Sequence, residues 1–392
     1  MIVRMTRVLM ILGSGETSPA MVTPHQHVLA GLAAGTKGVV LDSPYGFQEN
    51  ADELTERTIQ YFRESVGFET EAVSFRSAPV TDPVSHATEM ARLRTAGWIF
   101  AGPGSPSYAL RTWAGSAVPD ALHGVLRDGG AVVFASAAAL TLGLVTVPVY
   151  EIYKVGETPR WLDGLDVFGR ATGLRAAIVP HWNNAEGGTH DTRFCYLGER
   201  RLRLLEDLLP EDTFVLGIDE HTGIVIDLDS GSADIVGRGS MTVRARAREW
   251  SILAGSTTTL KEIADHAQVE IRPTAVPKGL TTSPEIAALE QALEQRDVRT
   301  ALALTAELDR AASTDAQRQT AGSYLARCIA ALGSLVDRNT AVTPYIELLL
   351  AERTRARDEQ RWADSDAIRD GLSAIGVEVR DGSAGVSWTL TR

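Results

Sequence analysis

The strongest constraint on this sequence is the alternation, over residues 7–235, of short apolar runs with longer amphipathic stretches. Continuous apolar strands separated by helices are typical of a parallel sheet buried on both faces. The pattern therefore predicts an α/β fold with a doubly wound, mostly parallel sheet, whose chemistry lies at the carboxyl ends of the strands. The predicted strands are 7–13, 38–44, 97–104, 131–136, 176–182 and 213–219.

The pattern changes after Gly223, where the sequence predicts a β-meander, and again near residue 266. The segment 269–285 contains three prolines and shows no periodicity, as expected of a linker. Beyond it, alanine and leucine recur at helical spacing, and residues 376–390 resemble a small hairpin. We predict an α/β domain over 1–265, a linker over 266–283 and a small α-helical domain over 284–392.

Composition narrows the class of protein. The net charge of −12 argues against a general binder of nucleic acid or anionic membrane, although a local basic face stays open. Cys195 and Cys328 are far apart and form no CxxC pair, so neither a disulfide framework nor a zinc site is indicated. We expect a reducing, cytoplasmic location and predict no metal or other cofactor.

The uncharged run from Gly129 to Tyr150 is long enough to cross a bilayer. Its residues are mainly small, whereas a membrane span would use leucine, isoleucine and phenylalanine. We interpret the run as buried core, with no membrane contact.

Ser136 follows a predicted strand and precedes an alanine-rich helix, which is the setting of a nucleophile elbow. Phe134 and Ala138 occupy the two positions that glycine fills in the usual motif, so a serine in a core turn is the alternative. His181 ends another predicted strand and could act as the base, or be structural. Glu151 is the first charge after the uncharged run, and either orients His181 or is a surface glutamate.

The segment GPGSPSYAL at 102–110 predicts a strand, a turn and a helix, with Ser105 as N-cap and Pro106 in the first turn. The free N–H groups near Gly104 would suit an anion. The alternative is a plain strand–turn–helix connection with no ligand. A phosphate loop is excluded because no Gly-Lys-Ser/Thr follows.

Several segments in one order resemble the family of dipeptidase E (aspartyl dipeptidase) and cyanophycinase, which are serine peptidases with a class I glutamine amidotransferase-like fold. The resemblance spans residues 1–265. It is carried by GPGSPSYAL at 102–110, SAAA at 136–139, PHWNNAEGGTHDTRFCYLGERRLRLL at 180–205 and VLGIDEHTGIVI at 215–226.

The resemblance implies that Ser136 is the nucleophile, His181 the base and Glu151 the acid. It also implies an oxyanion hole from the backbone N–H groups of Gly104 and Ala137. A glutamine amidotransferase would carry cysteine at position 136, so we do not expect a glutaminase. The substrate-binding residues it implies are Ser105, Asn183, His190 and Arg193; His190 and Arg193 could instead tie the loop to the body.

The end of the chain closely resembles the C-terminal end of cysteinyl-tRNA synthetases over about 45 residues. The match includes Arg353, Arg357, Asp366, Arg369 and Trp388. No HIGH-like or KMSKS-like segment is present, so we expect no amino-acid activation. The segment could bind a tRNA, a protein partner or the α/β domain, or simply form two packed amphipathic helices.

Together these features predict a serine hydrolase that cleaves a small peptide or an aminoacyl amide. The alternative is a binding protein that has lost catalysis and recognises tRNA or a partner through its C-terminal module. The sequence does not define the substrate side chain. It also leaves open whether the protein forms a homodimer.

Overall fold

The computed structural model describes residues 7–76, 83–274 and 298–311, the segments 377–382 and 385–390, and single positions between 288 and 372. The chain divides into two compact units, Met1–Pro277 and Lys278–Arg392. The first unit contains both of the larger sheets, and the second contains a two-stranded hairpin.

An eight-stranded sheet forms the centre of the first unit, in the order β14-β11-β10-β1-β5-β4-β2-β3. Strands β1, β5, β4, β2 and β3 run parallel, whereas β10, β11 and β14 add antiparallel pairs at one side. The strands are β1 Val8–Leu12, β2 Gly38–Leu41, β3 Thr70–Val73, β4 Trp98–Ala101, β5 Ala131–Ala135, β10 Thr222–Asp227, β11 Ser232–Gly237 and β14 Thr257–Thr259.

A six-stranded sheet has the order β13-β12-β9-β8-β6-β7. Its central pair, β8 and β9, is parallel, with Val179 opposite Gly217. The strands are β6 Val145–Thr146, β7 Leu162–Asp163, β8 Ala176–Val179, β9 Phe214–Ile218, β12 Ser240–Ala245 and β13 Arg248–Leu253.

Helices flank the eight-stranded sheet because both faces of its central strands are apolar. Leu9 and Ile11 of β1 belong to one core cluster, which also contains residues of the second sheet, and Val8, Met10 and Leu12 belong to the other. The helices are α1 Pro19–Gly31, α2 Ala51–Tyr61, α3 Pro83–Thr95, α4 Pro106–Trp113, α5 Val118–Arg127, α6 Ser136–Thr141, α7 Val167–Thr172, α8 Gly198–Glu206 and α9 Leu260–Ala267.

The predicted α/β class is confirmed, and a strand lies within each predicted strand run. The strands form two sheets instead of one, because β8 pairs with β6 and β9 and not with β5. The predicted meander is present only in part: β10 pairs with β11 in the eight-stranded sheet and β12 pairs with β13 in the six-stranded sheet, so the chain changes sheet between β11 and β12. The uncharged run contains β5, α6 and β6, and no helix in the described part of the chain is long and apolar enough to cross a membrane.

The predicted domain boundary at 265 falls inside α9. The chain stays attached to the first unit beyond it, since Val269 packs on the core and the Arg272 N–H donates to the Gly173 carbonyl. In the second unit, helix α10 covers Val298–Ala311. Strands β15 Val377–Gly382 and β16 Gly385–Leu390 form the predicted hairpin. The two amphipathic helices predicted near the end of the chain fall between residues 344 and 375, where the structure describes only single positions, so most of both lies outside the described residues.

Candidate active site

Ser136 lies at the junction of β5 and α6, with φ of 50°. This left-handed backbone is uncommon for a residue with a side chain, and it is the conformation expected of an exposed serine on a sharp strand-to-helix turn. The positive φ falls on Ser136 itself and not on Ala138, so the missing glycine at 138 creates no backbone strain. Ala138 is fully buried, and its N–H donates to the Gly102 carbonyl at 3.1 Å.

Neighbouring strands place two loops beside Ser136. Leu12 of β1 pairs with Ala135, and Ala101 of β4 pairs with Phe134, so the chain leaves both strands next to the serine. The loops that follow, 13–18 and 102–105, therefore flank Ser136 on opposite sides.

His181 follows β8 of the second sheet and meets the serine. Its Nε2 lies 2.9 Å from the Ser136 Oγ, a distance at which the imidazole can take the hydroxyl proton. Its backbone is also left-handed, with φ of 49°. Two amides hold the loop in place, since the N–H groups of Asn184 and Cys195 both donate to the His181 carbonyl at 3.1 Å.

Glu220 occupies the other side of the imidazole. Its Oε1 lies 2.8 Å from the His181 Nδ1, and the Asn184 Nδ2 donates to the same oxygen at 2.9 Å. The Glu220 N–H donates in turn to the Asn183 Oδ1 at 2.8 Å. Burial alone would raise the pKa of Glu220, but the hydrogen bonds from His181 and Asn184 outweigh it and lower the pKa. The carboxylate is therefore charged at neutral pH.

The prediction that Glu151 orients His181 is wrong in this structure, because Glu220 holds the Nδ1 position. After β6 the chain turns into a short π-helical segment, Glu151–Val155, and the buried Oε2 of Glu151 has no hydrogen-bond partner in the described part of the chain. The sequence carried part of the signal for Glu220. The predicted strands ending at 182 and 219 are each followed by polar residues, and parallel neighbours bring such ends together.

Gly104 and Ala137, the two predicted oxyanion donors, come shortly after β4 and β5, which are neighbours in the sheet. Gly104 has φ of 137°, and a Cβ there would come within 2.1 Å of the Pro44 carbonyl oxygen, so only glycine fits. Ala137 is in the first turn of α6, where backbone N–H groups have no acceptor within the helix. The bond between Ala138 and Gly102 ties the two segments together.

The four residues expected to bind substrate have other partners in the structure. Ser105 caps α4, with its Oγ accepting from the Tyr108 N–H at 3.2 Å, and Asn183 holds the Glu220 backbone. Arg193 pairs with Asp191 at 2.9 Å, as a loop-tying residue would. His190 is exposed and stacks on Tyr153, with ring centroids 6.2 Å apart. His190 is thus an exposed residue next to Tyr153, and the other three make contacts within the loops that carry them.

Sequence reasoning missed the turn that supports His181. Phe194, Cys195 and Tyr196 all have positive φ, between 55° and 65°, although none is glycine. The Phe194 N–H donates to the Trp182 carbonyl at 2.8 Å, and the two rings pack edge to face with centroids 4.3 Å apart. Cys195 is 4% exposed, and burial raises the pKa of its thiol to about 12, so it is not a reactive thiolate.

The arrangement can support acyl transfer by a serine. A hydroxyl, an imidazole and a carboxylate form one hydrogen-bonded chain. In the described part of the chain, no group of three or more His, Cys, Asp or Glu side chains could hold a metal ion.

One solved structure resembles about two thirds of this chain in fold. A crystal structure of a peptidase from an acI-B1 Actinobacterium aligns with 65% of this chain and 98% of its own, with a TM-score of 0.52 and 20% identity. A protein of Listeria monocytogenes EGD-e, provisionally described as a peptidase E, aligns over 64% of this chain with a TM-score of 0.38 and 12% identity.

The C-terminal segment matches a different family. Residues 339–388 match the cysteinyl-tRNA ligase anticodon binding domain. The cysteine–tRNA ligase of Shewanella loihica is 56% identical over 43 residues, which are 11% of this chain and 9% of the ligase. That of an Arthrobacter species is 50% identical over 54 residues, 14% of this chain and 11% of the ligase. The chain thus spans about a tenth of these curated relatives. It combines a peptidase-like α/β fold with a C-terminal segment similar to the anticodon-binding domain of cysteinyl-tRNA ligases.

Proposed function

We propose that this protein is a serine hydrolase that cleaves a small peptide or an aminoacyl amide through Ser136, His181 and Glu220. The continuous hydrogen-bonded chain from the Ser136 Oγ through the imidazole to the Glu220 carboxylate carries the proposal. The peptidase-like fold supports it, and so does the left-handed backbone at Ser136.

In the proposed reaction, His181 Nε2 takes the hydroxyl proton while the Ser136 Oγ attacks the substrate carbonyl carbon. Glu220 stabilises the imidazolium, and the N–H groups of Gly104 and Ala137 stabilise the oxyanion. His181 then gives the proton to the leaving amine, which departs as the C–N bond breaks. Water, activated by the same imidazole, hydrolyses the acyl-enzyme and restores Ser136.

A fluorophosphonate probe tests this proposal directly. We expect the folded protein to be labelled at Ser136, as located by peptide mass spectrometry, and Ser136→Ala to lose all labelling. Ser256→Ala is the matched control, because Ser256 is an exposed serine directly before β14 and has no part in the proposed reaction. This substitution should leave labelling intact. A folded wild-type protein that the probe does not label would refute the proposal.

The match at residues 339–388 favours a second function, recognition of tRNA by the C-terminal module. We expect the full chain to retard tRNA in a gel at about 50 mM salt and to release it as salt rises, because phosphate contacts dominate such binding. A DNA duplex of similar length serves as the comparison. Equal retardation of both, or of neither, would argue against a tRNA-binding module.

A further inference from the structure

A cavity of about 400 Å³ opens between the two loops that flank Ser136. Glu16, from the loop after β1, and Gly104, from the loop after β4, both line it. Gly104, one of the proposed oxyanion donors, lines the cavity whereas Ser136 and His181 do not, so the cavity adjoins the proposed site without containing the serine. The lining also includes three aromatic side chains, Tyr45, Tyr61 and Phe100, together with polar and aliphatic residues of the helix Ala51–Tyr61 and its approach.

Glu16 is the unusual member of this lining. Only 8% of its surface is exposed, and no lysine or arginine pairs with it in the described part of the chain. The one guanidinium in the lining, Arg57, is exposed and pairs with Glu53 on its own helix. Burial raises the pKa of the Glu16 carboxyl, whereas its own backbone N–H and the nearby His181 and His221 act to lower it.

In the described part of the chain, a backbone N–H and two histidines act on this carboxyl, and no lysine or arginine does, so a cationic group of a ligand would be its strongest partner. The adjoining aromatic side chains suggest its nature, because aromatic faces attract organic cations. Tyr61 stays neutral, since burial and the neighbouring Glu16 raise its pKa to about 12. A carboxyl beside uncharged aromatic rings is complementary to an ammonium or guanidinium group.

We propose that this cavity selects substrates whose acyl residue carries a positive charge, and that Glu16 binds that charge. The inference rests on the proposed hydrolase function and specifies its substrate class. The charge has two sources in an aminoacyl group, the α-ammonium close to the carbonyl and a basic side chain farther from it.

Three diphenyl aminoalkylphosphonates distinguish these sources. The first has a free amine and a leucine-like side chain, the second an acetylated amine and a lysine-like side chain, and the third, the neutral reference, an acetylated amine and a leucine-like side chain. In each reaction the Ser136 Oγ forms a bond to phosphorus, one P–O bond to phenoxide breaks, and the serine proton leaves with phenol through His181. The measurement is the second-order rate constant of inactivation.

We expect at least one cationic probe to react roughly 10- to 100-fold faster than the neutral probe, as one hydrogen bond to a charged group allows. Glu16→Gln keeps the shape of the side chain and should reduce that ratio by a similar factor. Glu49→Gln removes an equal charge from an exposed position near the cavity and should leave the ratio unchanged.

Two results would overturn the proposal: a neutral probe that reacts as fast as both cationic ones, or a rate ratio that survives Glu16→Gln. Fluorophosphonate labelling of Glu16→Gln shows whether the variant is folded and keeps its reactive serine. If the fluorophosphonate labels Ser136 but the probes show no charge preference, only the cavity assignment fails. If no phosphonate labels Ser136 in folded wild-type protein, the hydrolase function fails and the cavity assignment falls with it.

Discussion

The two contacts of His181 are built in different ways. Its partner Glu220 follows β9, the parallel neighbour of β8 in the same sheet, so the backbone hydrogen bonds of the sheet fix the distance between them. Its other partner, Ser136, follows β5 in the other sheet, and the two strands are not hydrogen-bonded to each other. The serine contact therefore depends on packing between sheets and on tight turns, whereas the glutamate contact follows from strand register.

Because of this difference, the two contacts of His181 should respond differently to mutation. Asn183 and Asn184 reinforce the glutamate side with one hydrogen bond each. In the contact between His181 and Ser136, both residues themselves have a left-handed backbone, Ser136 at the elbow and His181 on its loop. Changes that remove charge from the contact between His181 and Glu220 should reduce turnover without unfolding the protein. Changes that weaken the contact between His181 and Ser136 should also reduce the free energy of unfolding.

The largest effect is expected from Glu220→Gln. Without the carboxylate, the imidazolium loses its stabilising charge and its fixed tautomer, and kcat should fall by roughly 10³- to 10⁴-fold. Glu151→Gln is the matched control and should change kcat by less than about threefold, because Glu151 does not contact the imidazole. Turnover of an aminoacyl amide, or fluorophosphonate labelling rates, provide the measurement. A larger loss in Glu151→Gln than in Glu220→Gln would reverse the assignment.

The second largest effect is expected from a change in the turn that holds His181 against Ser136. Arg244 is 3% exposed, bonds to Glu199, Glu206 and Glu249, and lies over the ring of Phe194 in the turn that supports His181. Arg244→Leu leaves these carboxylates without their shared cation and should reduce the free energy of unfolding by about 3–5 kcal/mol. Urea denaturation measures this loss, with Arg203→Leu, an exposed arginine that also pairs with Glu199, as the control.

The same network gives a pH dependence. Hydrogen bonds, first from Arg244, lower the pKa of Glu199 to about 2. A carboxyl whose folded pKa is lowered stabilises the fold above its unfolded pKa of about 4.3, and this contribution is lost as pH falls toward the folded value. Wild-type protein should therefore lose stability between about pH 4.3 and 2 more steeply than Arg244→Leu. Equal slopes in thermal melts over this range would contradict the prediction.

A smaller effect is expected from Asn184→Ala, which removes one hydrogen bond to the charged Glu220. Such a bond contributes about 1.5–3 kcal/mol, so kcat/KM should fall by at least about tenfold while the fold is retained. Asn184→Asp keeps the shape of the side chain but replaces its N–H donor with a negative charge. Its carboxylate cannot donate to Glu220 and would repel it, and it should be at least as damaging as the alanine.

The smallest effect is expected from alkylation of Cys195. The thiol is buried, and burial raises its pKa to about 12, so iodoacetamide at pH 8 should leave Cys195 unmodified and turnover unchanged. Peptide mass spectrometry of folded and urea-unfolded protein measures the modification. Rapid alkylation of Cys195 with loss of activity would indicate a thiol reaction in place of the serine one.

The sequence was sufficient for the parts of the site that depend on strand ends. Ser136 and His181 each follow an apolar run, and the α/β rule brings such ends together. It was insufficient for Glu220, because spacing along the chain does not show which strand lies beside β8. The turn at 194–196 carries no glycine, so nothing local signals its left-handed backbone, which tertiary packing of Phe194 and Cys195 imposes.

That turn has a consequence for how the protein opens. Three successive residues with side chains are held in a backbone conformation that costs each roughly 1–2 kcal/mol, and burial of Phe194 and Cys195 offsets this cost. A segment held in this way should exchange its amide hydrogens through local opening, before the central strands do. The histidine would then leave the serine while most of the fold persists, so mild denaturant should abolish activity well below the midpoint of global unfolding.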